Sequence, residues 1–251
     1  MGFFSLGGKV AVVTGGNTGL GQAFSLALAK AGADLFIPTV TDDGGETAGL
    51  VEEAGGTAEV LNIDITAPGA PKAVVEGCAA RYGRFDILVN SAGICNLAPV
   101  EGFGRAEWDP MIALNLTAAF ELSFEASKVM MRQGSGKIIN ICSLFSYLGG
   151  RQSPAYAASK HGLAGFTKAY CDELASYNIQ VNAIAPGYFA TAITSATRSD
   201  PEASRRVTDR IPAGRWGEAA DLMGATVFLA SHASDYINGH VLVVDGGYLV
   251  R

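Results

Sequence analysis

The sequence predicts a doubly wound α/β fold: one Rossmann-type domain in which a seven-stranded parallel sheet carries helices on both faces. Two observations lead there. Short apolar runs alternate with longer Ala- and Leu-rich stretches along all 251 residues, and a glycine-rich turn joins the first apolar run to the first helical one. Strict alternation of strand and helix requires right-handed crossovers, which cover both faces of a parallel sheet. A single domain fits this length, because α/β folds of about 250 residues routinely form one unit.

Taken in order, residues 9–13, 34–37, 58–63, 87–90, 137–141, 180–184 and 241–244 read as buried strands, each a short apolar run. Between them, 20–31, 71–82, 107–131, 156–177 and 218–231 are long enough and rich enough in Ala and Leu to be helices. No repeat or composition shift marks a second domain. The stretch 187–215, rich in Thr, Ser, Arg and Ala, shows no clear period and follows a strand end. An irregular segment of that length inside a compact domain reads as a functional lid.

Composition removes several function classes. With 18 Lys and Arg against 24 Asp and Glu, the net charge of -6 gives no attraction for nucleic acid or an anionic membrane. No run of about 18 apolar residues is present, so no membrane span is expected. The four cysteines, at 78, 95, 142 and 171, form no C-x-x-C pair and no cluster with the three histidines. Neither a metal site nor a disulfide framework is indicated, and a reducing, cytoplasmic compartment is expected. The first residues lack the basic start and apolar run of a signal peptide.

After the first strand comes Thr14-Gly15-Gly16-Asn17-Thr18-Gly19-Leu20-Gly21. Glycines there permit a tight turn and let backbone N–H groups approach a pyrophosphate, whose charge the following helix N-terminus favours. A second pattern pairs Tyr156 with Lys160, one helical turn apart. On one face of a helix the ammonium sits beside the phenol and is expected to lower its pKa from about 10 toward the working pH. Tyr156 is therefore a candidate general acid/base. Each pattern alone is common; an exposed Tyr/Lys pair or an unliganded Gly turn is the ordinary reading.

Their order is not ordinary. The Gly turn, Asn90-Ser91-Ala92-Gly93 after the fourth strand, Asn115, Ser143, Tyr156/Lys160, then Asn182 to Gly187 and Asp245-Gly246-Gly247, together resemble the short-chain dehydrogenase/reductases over essentially the whole chain. Residues 210–217 and 233–239 look like the branch acting on 2-deoxy-D-gluconate and gluconate. The resemblance implies hydride transfer between a nicotinamide cofactor and a secondary alcohol or ketone, with a sugar acid or polyol as substrate. It makes Tyr156 the proton donor, Ser143 a hydrogen-bond donor to the same oxygen, Lys160 a ligand of the nicotinamide ribose, and Asn115 the holder of a water behind Lys160. Cofactor contacts are implied for Gly15, Asn17, Thr18, Gly19, Leu20, Gly21, Thr39, Asp64, Ile65, Asn90, Ala92, Gly93, Pro186, Gly187, Phe189 and Thr191 as well as Tyr156 and Lys160. Asn90 is more architectural than catalytic in this scheme, and Asp64 reads equally well as an acidic helix start.

Cofactor and substrate choice depart from the pattern. Thr39 stands where an acid selecting NAD is usual, about 20 positions beyond the Gly turn. No Arg or Lys lies between Lys30 and Lys72 to pair with a 2'-phosphate, and Asp42 and Asp43 oppose one, so NAD is favoured over NADP. A sugar-acid carboxylate wants an Arg fork. Ile94-Cys95-Asn96-Leu97 occupies the place where the branch carries a cation. Arg151 is a substitute, as is Arg198, whereas Phe145, Tyr147 and Leu148 favour a more apolar ketone, dione or acyl chain. A catalytically silent dinucleotide-binding protein is a third reading, for which Ser143, Tyr156 or Lys160 should be missing. The family resemblance also implies a homotetramer, using helical faces within 116–131 and 156–174 and the apolar tail at 248–250.

Overall fold

A computed structural model describes residues 2–251. Seven strands form one parallel sheet in the order β3-β2-β1-β4-β5-β6-β7. They are β1 (Val10–Val13), β2 (Asp34–Thr39), β3 (Ala58–Asn62), β4 (Ile87–Asn90), β5 (Gly136–Ile141), β6 (Ile179–Pro186) and β7 (Val241–Val244). The chain winds outward from β1 through β2 to β3, then returns to place β4 on the other side of β1. That reversal opens a crevice beyond the C-terminal ends of β1 and β4, the position where open α/β sheets hold ligands.

Alternation of side chains along each strand builds the two core layers. On one face Ala11 and Val13 of β1 join Leu35 and Ile37, packed against Phe24 and Leu28 of α1 (Gly19–Lys30). On the other, Val10 and Val12 join Leu88, Ile138 and Val181, covered by Val74 and Cys78 of α3 (Ala70–Tyr82) and by Leu122 and Met130 of α5 (Ala118–Gln133). Phe24, Leu28, Leu88, Leu122 and Met130 are fully buried, each contributing about 1.5–3 kcal/mol on removal from water. Both faces are thus anchored, and the crevice sits on a rigid base.

Three segments differ from the sequence-based expectation. The helix expected over 107–131 is α4 (Arg105–Ile112), a π-helical turn at Ala113–Thr117, and α5. Pro110, inside α4, donates no amide hydrogen bond, and the chain widens just after it. An additional helix, α2 (Glu46–Glu53), buries only Thr47 and Val51, too little apolar surface to announce itself in the sequence. The stretch 187–215 is not irregular: it carries α7 (Ser195–Ser199) and α8 (Pro201–Thr208). The Asp200 carboxylate accepts from the Glu202 and Ala203 amides, and Pro201 starts the helix, an N-terminal signature on a helix with no buried face. The remaining helices are α6 (Pro154–Leu174) and α9 (Met223–Ala230). Among the described residues no helix is long and apolar enough to cross a membrane.

Candidate active site

A cleft of about 640 Å³ opens over the C-terminal ends of β1, β4, β5 and β6. Its floor begins at the glycine turn. Gly15 and Gly19 have φ of 60° and 50°, in the left-handed region that favours glycine, and a Cβ on Gly21 would run into the Gly15 carbonyl. Thr18 precedes α1 without capping it through its side chain, so the first amides of α1 keep their capacity to bind an anion. A Cβ on Gly19 would meet no protein atom, and Gly19 lines the cleft. A Cβ on Gly93 would press 3.1 Å from Asn115 Oδ1. These are the features of a cradle for a phosphate-linked dinucleotide, and the residues present fit a nicotinamide dinucleotide.

The turn is fastened to its neighbour by one side chain. Thr14 Oγ1 accepts the N–H groups of Ser91 and Ala92, both at 2.9 Å, which holds the segment after β4 against the glycine turn. Thr18, Gly19, Leu20, Gly21, Thr39, Asp64, Ile65, Ala92, Gly93, Pro186, Gly187, Phe189 and Thr191 all line the same cleft, as does Gly15. Thr39 Oγ1 accepts the Thr41 N–H, so the residue in the selecting position faces its own backbone. Asp64 does not start a helix. Its carboxylate accepts from the Thr66 amide and hydroxyl at 2.9 and 2.7 Å, which keeps its pKa below the ordinary range.

Two expected cofactor contacts lie elsewhere. Asn17 is buried and turned from the cleft, its Nδ2 donating to the Thr41 carbonyl at 2.7 Å. It braces the loop after β2. Asn90 donates to Asn140 Oδ1 at 2.8 Å and to Ser123 at 3.0 Å, tying β4 to β5 and α5, the architectural option.

At the other end of the cleft Ser143, Tyr156 and Lys160 come together on its wall. Burial pushes the Tyr156 phenol up to about 12, with the Ser143 hydroxyl opposing the rise. The expectation that Lys160 lowers this pKa is therefore corrected. Lys160 Nζ lies 5.5 Å from the Tyr156 ring centre and donates to the Ile141 carbonyl at 2.7 Å, and burial sets the direction of the phenol's shift. The ammonium is itself buried, which lowers its own pKa. Only part of the Tyr156 side chain remains accessible, and that part faces the cleft.

Supporting contacts hold these groups in register. Asn115, in the π turn, accepts the Ile94 N–H and donates to the Ile94 carbonyl, both at 2.9 Å, and reaches Ser159 Oγ at 3.3 Å. Ser159 donates in turn to the Tyr156 carbonyl. Ser146 Oγ donates to the Lys160 carbonyl at 2.8 Å and accepts the Ser143 N–H at 3.3 Å, so one buried hydroxyl links the strand-end serine to the Tyr/Lys helix. Thr14, Ser146 and Ser159 carry no sequence signal beyond lying inside the motifs; serine and threonine at loop ends are too common to single out.

Of the expected substrate residues, Phe145 packs edge-on against the Tyr156 ring, centroids 5.8 Å apart. Arg151 is exposed and does not line the cleft. In its place the wall is Ile94, Cys95, Leu114 and Ile193, and Lys160 is the single cation among the lining residues. The cysteines are all free, and among the described residues no group of acidic, His or Cys side chains is arranged for a metal.

Comparison with known proteins places this arrangement. A family profile described as Enoyl-(Acyl carrier protein) reductase matches residues 15–249. The chain is 67% identical over 251 residues to the Uncharacterized oxidoreductase YgcW of Escherichia coli, covering 100% of this chain and 96% of that one. It is 47% identical to a 2-dehydro-3-deoxy-D-gluconate 5-dehydrogenase of Bacillus subtilis, covering 99% and 97%. Among solved structures, a gluconate 5-dehydrogenase from Burkholderia cenocepacia in complex with NADP and tartrate superposes with a TM-score of 0.94, at 38% identity and coverage of 99% and 98%. With the glycine cradle and the Ser143, Tyr156, Lys160 wall, these relatives make the chain a member of the short-chain dehydrogenase/reductase family, an oxidoreductase that uses a nicotinamide dinucleotide.

Proposed function

We propose that this protein is an NAD-dependent dehydrogenase of a sugar acid, with Tyr156 as the group that gives and takes the substrate proton. The observation carrying this is the meeting of Ser143, Tyr156 and Lys160 on the same cleft as the glycine turn. A nicotinamide held in this cleft would supply the hydride acceptor or donor for the substrate carbon. Tyr156, kept protonated by burial, donates its phenolic proton to the ketone oxygen during reduction and recovers one during oxidation. Ser143 holds that oxygen by a hydrogen bond and fixes the carbonyl in line with the phenol. Lys160 holds the ribose end of the cofactor. Asn115 orders the Ile94 main chain beside Lys160 and keeps a water path open behind the ammonium. Gly15, Thr18 to Gly21, Asp64, Ile65, Ala92, Gly93, Pro186, Gly187, Phe189 and Thr191 form the cofactor bed.

The relatives named for gluconate derivatives support a sugar-acid substrate. Preference for NAD rests on the loop after β2. Thr39, Val40 and Thr41 line that end of the cleft, no Lys or Arg lies between Lys30 and Lys72, and Asp42 and Asp43 stand beside it. A 2'-phosphate would meet no cation there. Segment 187–215 acts as a lid over the substrate. The exposed pair Phe120 and Phe124 of α5, stacked on each other with Phe120 edge-on to Phe166 and Tyr170 of α6, supports a homotetramer built on that face, and free cysteines suit the cytoplasm.

A second reading, reduction of apolar ketones or diones, is favoured by the wall of Ile94, Cys95, Leu114 and Ile193. Initial rates with keto-sugar acids, cyclic ketones and diones, each with NADH and NADPH at equal low concentration, test both points. Fastest turnover of a keto-sugar acid with NADH supports the proposal. Fastest turnover of an apolar dione establishes the second reading, and equal rates with both cofactors overturn the NAD preference.

A further inference from the structure

We infer that Arg198 is the residue that selects substrates bearing a carboxylate, a role resting on the sugar-acid reading and assigned to the segment covering the cleft rather than to its wall. Inside the cleft a carboxylate finds little to hold it. Lys160 is the only lining cation and already donates to the Ile141 carbonyl, while Ile94, Cys95, Leu114 and Ile193 are apolar or weakly polar. An anionic group that entered this wall would lose water without gaining a charged partner. Its counter-charge has to come from the rim.

The segment 187–215 carries Arg198, Arg205, Arg206, Arg210 and Arg215. Four are engaged. Arg205 pairs with Asp209 at 3.6 Å, Arg206 with Glu202 at 2.8 Å and Arg215 with Asp221 at 2.7 Å, while Arg210 lies 4.3 Å over the Tyr248 ring. Arg198 faces no carboxylate and no ring among the described residues. Its one contact is from Nη2 to the Thr191 carbonyl, at 3.1 Å, and Thr191 lines the cleft. Thr194 Oγ1 donates to the Phe189 carbonyl at 2.6 Å and accepts the Thr191 N–H, so the turn bearing α7 is tied back to the cleft wall. The guanidinium is therefore moored at the rim with most of its five donors uncommitted. Arg198 is exposed and does not itself line the cleft, but Thr191 joins it to the lining, and on turning from that carbonyl it offers a planar fork to a carboxylate at the cleft mouth. Arg151, the other candidate, is equally exposed and also outside the lining, and it makes no hydrogen bond to a lining residue among the described residues.

The test measures kcat/KM for a keto-sugar acid and for its neutral ketose, in which CH₂OH replaces the carboxylate, in wild type, Arg198→Ala, Arg198→Lys and Arg151→Ala. Wild type should favour the acid. In Arg198→Ala the acid-to-ketose ratio should fall about 10- to 100-fold, the loss expected for a charge-assisted contact. Arg198→Lys should recover part of it, since it keeps the charge but not the fork. If wild type shows no preference for the acid, the sugar-acid reading fails and the role of Arg198 falls with it. If wild type prefers the acid and Arg198→Ala keeps that preference, only the assignment to Arg198 is overturned, and a collapse in Arg151→Ala would transfer it there.

Discussion

The two ends of the cleft are made of different material. At the cofactor end the protein offers backbone: glycines 15, 19, 21 and 93, the open amides of α1, and a single threonine, Thr14, pinning two segments together. At the substrate end it offers side chains, held by a chain of hydroxyl and amide contacts through Ser146, Ser159 and Asn115. A backbone site leaves little room for variation, because Gly15 and Gly19 hold positive φ and a Cβ on Gly21 would run into the Gly15 carbonyl. A side-chain site tolerates exchange at wall positions outside the reacting groups, such as Ile94, Cys95, Leu114 and Ile193, so the same reaction can be kept while its substrate changes.

That contrast can be broken by mutation at either end. Lys160→Ala, which touches both, should lower kcat by about 10³-fold and weaken NADH binding, within the range for loss of an acid/base partner; steady-state rates with fluorescence titration of NADH read both. Ser143→Ala should lower kcat by about 10²-fold. It should also move the alkaline limb. The Ser143 hydroxyl holds the Tyr156 phenol down against burial, so its removal raises the phenol further. Alcohol oxidation, which needs the phenolate, should then require higher pH, and ketone reduction should persist to higher pH than in wild type. A pH–rate profile with an unmoved limb contradicts this.

At the cofactor end, Gly21→Ala should weaken NADH binding by about 10- to 100-fold, because a Cβ against the Gly15 carbonyl forces a backbone shift costing about 1–3 kcal/mol. Undiminished binding by that variant would erase the distinction between the two ends. Ser146→Ala should have the smallest effect, about tenfold in kcat with KM and NADH affinity little changed, as the two hydrogen bonds of one buried hydroxyl, to the Ser143 and Lys160 segments, are lost. A loss of thermal stability without any change in kcat would make Ser146 purely structural.

The same division explains what could be read from the chain. Alternating apolar runs specify the sheet, and all its strands lie where the runs fall, within about two residues. The glycine turn and the Tyr156/Lys160 spacing are local patterns, so they survive translation into geometry. Asn17 lies inside the glycine turn, yet only the fold reveals that it faces Thr41. Nor does helical spacing disclose how deeply a phenol is buried: i,i+4 geometry put Lys160 beside Tyr156, but desolvation decides the sign of the shift. The break at Asn115 was hidden because a π turn keeps helical composition, with Pro110 the one cue. Arg151 and Arg198 look alike in sequence; one is moored beside the cleft and the other is not.

The central claim is that Tyr156 moves the proton at a site whose cofactor bed is independent of it. The direct measurement compares Tyr156→Phe with wild type for NADH-linked reduction of the best keto-sugar acid, alongside NADH affinity by fluorescence. Phe keeps the ring and its packing on Phe145 but has no proton to give. The account predicts a fall in kcat of about 10³-fold or more with NADH affinity changed less than about threefold. Turnover by Tyr156→Phe at the wild-type rate would contradict it.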